Sequence, residues 1–439
     1  MHRNWNASRL LDALRALMRG SRWWAWLAAT AAAGTTAAYL TALAAPAGLT
    51  QAGLDMAGQP LSCGPPGYII QCYTPGQYRV AYGVAPLLSG GIDGSGETVV
   101  MPELANAPGP DFTDIRRDLA AFDRKFGLPA PKLKVTTTLA GAGAPYVAGT
   151  EEVEDTEIVH AIAPGAKLDV VLVPDSAIAS AADFTAAVTG LVRAAIAQGA
   201  AVISISGSEG ERFFTRAEGA RIHAALQQAA DRHVTVVASS GDTGAISDKG
   251  PPRQVSLPAS DPLVLGVGGT VLNASYQTGA YHGEMAWNAD TDVSAGGYSF
   301  LFGRPSYQDG IPGIGAMRGV PDVAANADST TAMALTFTGG VLLPAQGTSA
   351  ATPLWAAVIA LADQKAGRHL GFVNPAIYRI ARSSAYHGAF HDVVTGDNSV
   401  MWPTGVVLGY EAGPGWDPVT GWGSPDAQVL VPLLAHQGI

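Results

Sequence analysis

Ser349 stands in Gly-Thr-Ser-Ala-Ala-Thr-Pro, at the head of an apolar helical run that ends near Gly367. A serine there has its hydroxyl among unpaired backbone N–H groups at the positive end of a helix, a setting that favours a developing oxyanion. Pro353 fits only if it lies in the first turn. A helix-start serine is more often just a cap; the full string Gly-Thr-Ser-Ala-Ala-Thr-Pro is much more specific than a lone serine. Such a serine needs a base. His160, in VHAIAPGA, reads as an ordinary helix residue. The better candidates come just before it, in GTEEVEDTEIVHAIAPGA. Thr150 can cap a helix there, acids crowd its first turn, and Pro164-Gly165 ends it. Glu151 and Asp155 are four apart and share one helix face. Neighbouring carboxylates raise one another's pKa and can share a proton. Glu151 could then take the Ser349 proton while Asp155 orients it. Alone, the stretch reads as a solvated acidic helix start, since Glu152, Glu154 and Glu157 crowd it too.

Two further groups could do chemistry. Asp242 follows the strand-like HVTVVASSG, in Gly-Asp-Thr-Gly, where an aspartate is commonly a turn residue. Near the C-terminus, FHDVVTGDN and AGPGWDPVTGWGSPD bring Asp392 and Asp417, with Gly413 and Gly415 leaving their carbonyls accessible. Hard oxygens of this kind suit Ca²⁺; on their own they are two Gly-rich turns.

The elements that must position these residues alternate. ETVVMPEL (97–104), KLDVVLVP (167–174), AAVISIS (200–206), HVTVVASSG (233–241) and DPLVLGVGGT (261–270) read as strands. Helices are expected over 111–126, from Phe112, Ile115, Leu119, Phe122 and Phe126, and over 182–198 and 215–231. Short β-rich runs followed by helices imply a parallel sheet covered on both faces, with chemistry at the carboxyl ends of its strands. Residues 51–90 read as an extended, Gly- and Pro-rich entry segment, and 271–345 as loops that wall a substrate site.

Composition agrees with a large α/β enzyme. Of 439 residues, 48% are hydrophobic and 14% charged, enough for a sizeable core. The net charge of −10 and the lack of a basic run past the N-terminus exclude a nucleic-acid binder. Cys63 and Cys72 have no further metal ligands near them, and read as a short disulfide loop in preference to free thiols, implying an oxidising compartment. Arg3, Arg9, Arg15, Arg19 and Arg22 precede an uncharged run from Trp23 to Thr50. That is an export signature, either an anchor through 23–45 or a long signal peptide ending in small residues. Either places the rest of the chain outside the cytoplasm, secreted or anchored. No interface signal stands out, so a monomer is expected.

Glu-x-x-x-Asp followed by an AxAPxA turn and a strand, then SSGDTG, then GTSA, resembles the sedolisin family of serine-carboxyl peptidases in the subtilisin-like clan. CYTPGQYRVAYGV (72–84), LPASDPLVLGVGGT (257–270) and RGVPDVAANAD (318–328) are also similar to family segments. The resemblance implies a subtilisin-like α/β fold, a parallel sheet flanked by helices, in one large catalytic domain. It implies Ser349 as nucleophile, Glu151 as general base, Asp155 as its partner and Asp242 in the oxyanion hole. A protonated Asp242 can donate a hydrogen bond and an ionised one cannot, so work at acid pH follows. It also implies one calcium ion, held by the side chains of Asp392 and Asp417 and the carbonyls of Val393, Gly413 and Gly415.

The expected organisation is a basic flank and apolar segment over 1–50, a linker over 51–67 and a peptidase domain over 68–439. The substrate would be a peptide or protein, cut internally or as N-terminal tripeptides. Two departures from the family are visible. The stretch ahead of residue 68 is short for the usual prodomain, and ISISGSEGE (203–211) lacks an aromatic that the family often has before a glycine. Three rivals remain. A histidine-based subtilisin lacks its HGT-type motif here. A lipase elbow lacks its spacing, since Gly207-Ser208-Glu209-Gly210 is not Gly-x-Ser-x-Gly. The third is an inactive, anchored, calcium-binding protein on the same scaffold.

Overall fold

The computed structural model describes residues 61–64, 70–105, 113–137, 147–174, 179–247, 250–289, 291–337 and 340–436. The basic flank and the apolar 23–45 segment lie outside them. No helix among the described residues is long and apolar enough to cross a membrane.

The chain enters through β1 (Leu61–Cys63) and β2 (Ile70–Cys72), which pair antiparallel and are joined by the Cys63–Cys72 disulfide. The pair is held to the body where Gly64 N donates to Leu342 O at 2.7 Å. The entry segment is not extended throughout: α1 (Pro75–Ala81) and α2 (Ala85–Ser89) follow. Their signal is a capping box hidden in Gly/Pro/Tyr-rich sequence. Gln77 N donates to Thr74 Oγ1 at 3.2 Å, and Thr74 N to Gln77 Oε1 at 2.7 Å.

The remaining framework elements are β3 (Thr98–Ala105), α3 (Ile115–Phe126), β4 (Lys132–Thr137), α4 (Thr150–Ile162), β5 (Lys167–Pro174), α5 (Ala181–Ala197), β6 (Val202–Ile205), α6 (Arg216–Asp231), β7 (Thr235–Ser239), β8 (Leu265–Ala274), β9 (Tyr281–Ala286), β10 (Val323–Asn326), β11 (Ala334–Phe337), β12 (Val341–Pro344), α7 (Gly347–Ala366) and α8 (Asn374–Ala381). Eight strands form the central sheet in the order β9-β8-β7-β6-β3-β5-β4, with β10 also paired to β8. Every neighbour is parallel except β9 against β8.

Side chains alternate across the strands. Val99, Met101, Val202 and Val237 face the core shared with α4 and α7. Val100, Ile203 and Val236 face Val188 and Val192 of α5 and Ile222 and Leu226 of α6. The expected parallel sheet with helices on both faces is what the chain adopts. Some boundaries differ. Asp114 caps α3, accepting from Arg116 N at 3.0 Å, so that helix begins at Ile115; Phe112 lies outside the described residues. β8 starts only at Leu265, because Asp261 and Pro262 form a turn in which Leu263 N donates to Asp261 Oδ1 at 2.9 Å. The 271–345 region holds β9, β10, β11 and β12 rather than loops alone. Short β runs separated by Gly and Pro carry little periodicity, and β10 is defined by its pairing with β8.

Candidate active site

Three strand ends and two helix starts converge. β3 brings Glu103, the turn after β6 brings Ser206, and the turn after β7 brings Asp242. α4 brings Glu151 and Asp155 in its first turns, and α7 brings Ser349.

Ser349 is the third residue of α7 and nearly buried, at 8% exposure. Gly347 opens the helix at φ +85, a left-handed backbone that glycine adopts without strain. A Cβ on it would sit 2.8 Å from Asp242 Oδ2. Asp242 is clamped by one oxygen: Thr348 N and Thr348 Oγ1 donate to Oδ1 at 2.8 and 2.7 Å. Gly241 N in turn donates to Thr348 Oγ1 at 3.2 Å. Oδ2 is thus left beside the start of α7. Burial raises the Asp242 pKa above the ordinary carboxylate value, against the pull of the two Thr348 bonds.

Pro353 lies in the second turn of α7, not the first. Lacking an N–H, it cannot bond the Ser349 carbonyl four residues back. That freed carbonyl faces Ser206 Oγ at 3.5 Å. The Ser349 hydroxyl lies 3.5 Å from the Ser206 carbonyl, which also accepts from Ser239 Oγ at 2.7 Å.

The α4 helix meets α7 through carboxylates. Its N-cap is Gly149, and Thr150 is the first helical residue without a capping bond, contrary to expectation. Its acidic start is not a solvated face, for Glu152, Glu154, Asp155 and Glu157 are all buried. Glu154 Oε2 accepts from Gln346 N at 2.8 Å and so fixes the entry to α7. Glu151 retains a solvent-exposed edge at the mouth of the site, and its carboxyl hydrogen-bonds the Ser349 hydroxyl. The protein packed around it raises its pKa to about 7; the Asp242 charge adds to the rise and the Ser349 bond opposes it. Asp155, fully buried, accepts from Ser206 Oγ at 2.6 Å. Burial first, then the Glu151 charge, pushes its pKa well up.

Glu103 is the member that the sequence reading missed. It is 2% exposed and hydrogen-bonded to Asp155. Its pKa is pushed well up by burial and then by Asp155. Neither Asp155 Oδ1 nor Glu103 Oε1 has an N–H or O–H partner among the described residues, so the contact between these carboxyls requires a shared proton. A lone acid inside an apolar strand was the available signal. His160 is elsewhere: fully buried, with Nε2 2.9 Å from the Pro129 carbonyl and 3.2 Å from Asp123 Oδ1.

The C-terminal loops also come together. Gly415 N donates to both oxygens of Asp392, at 3.1 and 3.2 Å, and Gly413 N to Asp417 Oδ2 at 3.3 Å. Tyr386 OH donates to Asp392 Oδ1 at 2.8 Å. Asp417 is largely buried, caps its own turn through Val419 N and Thr420 N, and burial lifts its pKa to about 6. Among the described residues no Lys, Arg or His forms an ion pair with either aspartate. Two carboxylates thus converge on one Gly-rich loop, held by backbone N–H groups and hydroxyls, and their oxygens are of the hard type that calcium takes.

Comparison with known proteins bears on the family and the fold. Residues 137–399 match the model of the subtilase family. Kumamolisin of Bacillus sp. (strain MN-32) is 35% identical over 76% of this chain and 59% of its own length. Tripeptidyl-peptidase 1 of Homo sapiens is 33% identical over 54% of this chain and 43% of its own. The chain therefore spans less than two thirds of either relative. The solved structure of Pseudomonas sedolisin, a serine-carboxyl proteinase complexed with pseudo-iodotyrostatin, superposes with a TM-score of 0.67 at 26% identity, covering 83% of this chain and 98% of that one. The chain belongs to the subtilase family. Its matches among relatives and its fold place it in the sedolisin branch of that family.

Proposed function

We propose that this chain hydrolyses peptide bonds in acid through an acyl-enzyme on Ser349. The observation that carries the reading is the hydrogen bond between Glu151 and Ser349, beside an Asp242 clamped through one oxygen only. Ser349 Oγ attacks the scissile carbonyl carbon and gives its proton to Glu151. Asp155, with Glu103 behind it and Ser206 pinning it, orients Glu151. The carbonyl oxygen becomes an oxyanion beside Asp242, whose protonated Oδ2 donates to it together with N–H groups of the α7 start. Glu151 passes its proton to the leaving amine, then draws one from the water that releases the acyl group.

The two protonation states are linked. Protonating Asp242 removes one charge that helps to raise the Glu151 pKa, but burial is the larger cause, so in acid the base is the ionised minority of Glu151. A serine-carboxyl proteinase and a tripeptidyl-peptidase are both among the similar proteins; product masses from a long peptide read out which mode operates here. Calcium held by Asp392, Asp417 and the carbonyls of Val393, Gly413 and Gly415 would supply the positive charge that ties the C-terminal loops together. The disulfide and the basic-then-apolar N-terminus support action outside the cytoplasm, secreted or anchored through 23–45.

The test is to quench an acid reaction with a peptide p-nitrophenyl ester and map the mass adduct. The acyl group is expected on the Ser349 peptide, and absent from Ser349→Ala. An adduct elsewhere, or none with the protein folded and calcium present, rejects the mechanism.

A further inference from the structure

The Asp242 loop does not stand alone. A short antiparallel pair, Asn288–Ala289 with Asp292–Val293, lies against it. Val293 N donates to Asp242 O at 2.9 Å and Gly244 N to Val293 O at 2.9 Å, so Thr243 and Val293 face each other across a parallel bridge. The residues just before them, Asp242 and Asp292, are then neighbours about one strand spacing apart, roughly 5 Å. Val293 is fully buried and packs on Ile246 and Val400. Successive side chains along a strand point to opposite faces. Asp292 therefore turns away from that cluster, to the face on which Asp242 meets the start of α7.

Nothing in the packing calls for an acid there. Asp292 is partly buried, yet among the described residues no hydrogen-bond donor and no Lys, Arg or His reaches its carboxyl. Its neighbour across the antiparallel pair is Ala289. Burial first, then the Asp242 charge, raises its pKa to about 6. The other acids that face Asp242 are Glu151 and Glu154 of α4. From α7 it is met by the N–H and hydroxyl of Thr348. A half-buried acid set beside a second acid, at a site for chemistry, is a candidate for a role in that chemistry.

We infer that Asp292 is a positioning residue, paired with Asp242 so that the two carboxyls keep one proton between them beyond the pH at which Asp242 alone would lose its own. The inference rests on the reading of Asp242 as oxyanion donor. Charge repulsion is mutual: if the Asp242 charge raises Asp292, an ionised Asp292 raises Asp242 equally. Once the first proton has left the pair, the second can reside on either carboxyl. An oxyanion beside Asp242 Oδ2 draws it there and leaves the negative charge on Asp292. The oxyanion hole thereby keeps its donor over a wider span of pH.

The test follows kcat/KM against pH, each profile normalised to its own maximum. Asp292→Asn keeps the shape of the side chain and removes the acid. Its upper limb, where activity is lost on raising the pH, should move about half a pH unit to the acid side. Asp292→Lys should move it further the same way, and Asp292→Glu should return it toward the parent. A structural role would lower kcat or Tm without ordering the limbs by charge. The pair is also read without turnover, on Ser349→Ala, by infrared titration of protonated carboxyl C=O groups. The difference from the same protein carrying Asp242→Asn isolates the Asp242 band, which should ionise at lower pH once Asp292→Asn is added. An Asp242 band unmoved by Asp292→Asn overturns the inference. A band that moves while the limb stays in place keeps the pair and rejects Asp242 as the oxyanion donor.

Discussion

The pairing of Glu103 with Asp155 concentrates the chemistry of this site into one proton. With no N–H or O–H donor between them, the pair holds together only while one carboxyl is protonated. That makes Glu103 a positioning residue, acting on Ser349 through Asp155 and Glu151. Glu103→Gln supplies a permanent donor of similar shape but cannot share a proton. Its kcat should fall about tenfold, or ~1.4 kcal/mol in the barrier, with KM nearly unchanged. The acid limb of its pH profile should shift, which a purely structural role would leave in place. An unshifted limb, with kcat falling only as Tm falls, would make Glu103 a core residue and nothing more. Glu151 and Asp155 were legible in the sequence because a four-residue spacing fixes a helix face before any tertiary contact forms. Glu103 was not, because a single acid in a strand acquires meaning only when α4 is laid across β3.

At the scale of elements, legibility followed periodicity. The strand at 167–174 was read to its ends, and the helix from Gly347 almost to its last residue, because each has a long uniform pattern. The strand Val323–Asn326 and the helix Pro75–Ala81 were missed. The first is defined by its neighbour and the second by a capping box. Pro353 was expected in the first turn and sits in the second, where its missing N–H frees the Ser349 carbonyl instead of merely being tolerated. The C-terminal loops make their own prediction. If Asp392 and Asp417 share a calcium ion, chelation should lower Tm by several degrees and added Ca²⁺ should restore it, since a ligand bound only to the folded state stabilises by mass action. Asp392→Asn should lower Tm and abolish the response to chelator. A wild-type melt indifferent to both chelator and Ca²⁺ would remove calcium from the account.

For the molecule as a whole, the unusual property is a core rich in carboxyls. Glu103, Glu154, Asp155, Glu157 and Asp242 all have pKa values raised chiefly by burial, and Glu151 reaches about 7. Below the ordinary carboxylate range these groups are protonated both folded and unfolded, and cost nothing. Above it the unfolded chain releases their protons while the folded one retains them, so stability falls as pH rises. For Glu151 that window runs from 4.5 to about 7. Tm should therefore decline steadily between pH 4.5 and 7, the reverse of ordinary acid denaturation. A Tm that rises over that interval would show the cluster to be ionised and paired in the folded state. The same chemistry sets the range of activity.

The most direct test of the central claim is kcat/KM for a peptide substrate from pH 2 to 8, with Ser349→Ala as control. A Ser349-dependent optimum below about pH 5, with activity lost at higher pH where Asp242 is ionised, is the predicted result. A Ser349-dependent optimum near pH 7 to 8 would contradict it, since no protonated Asp242 would then be needed.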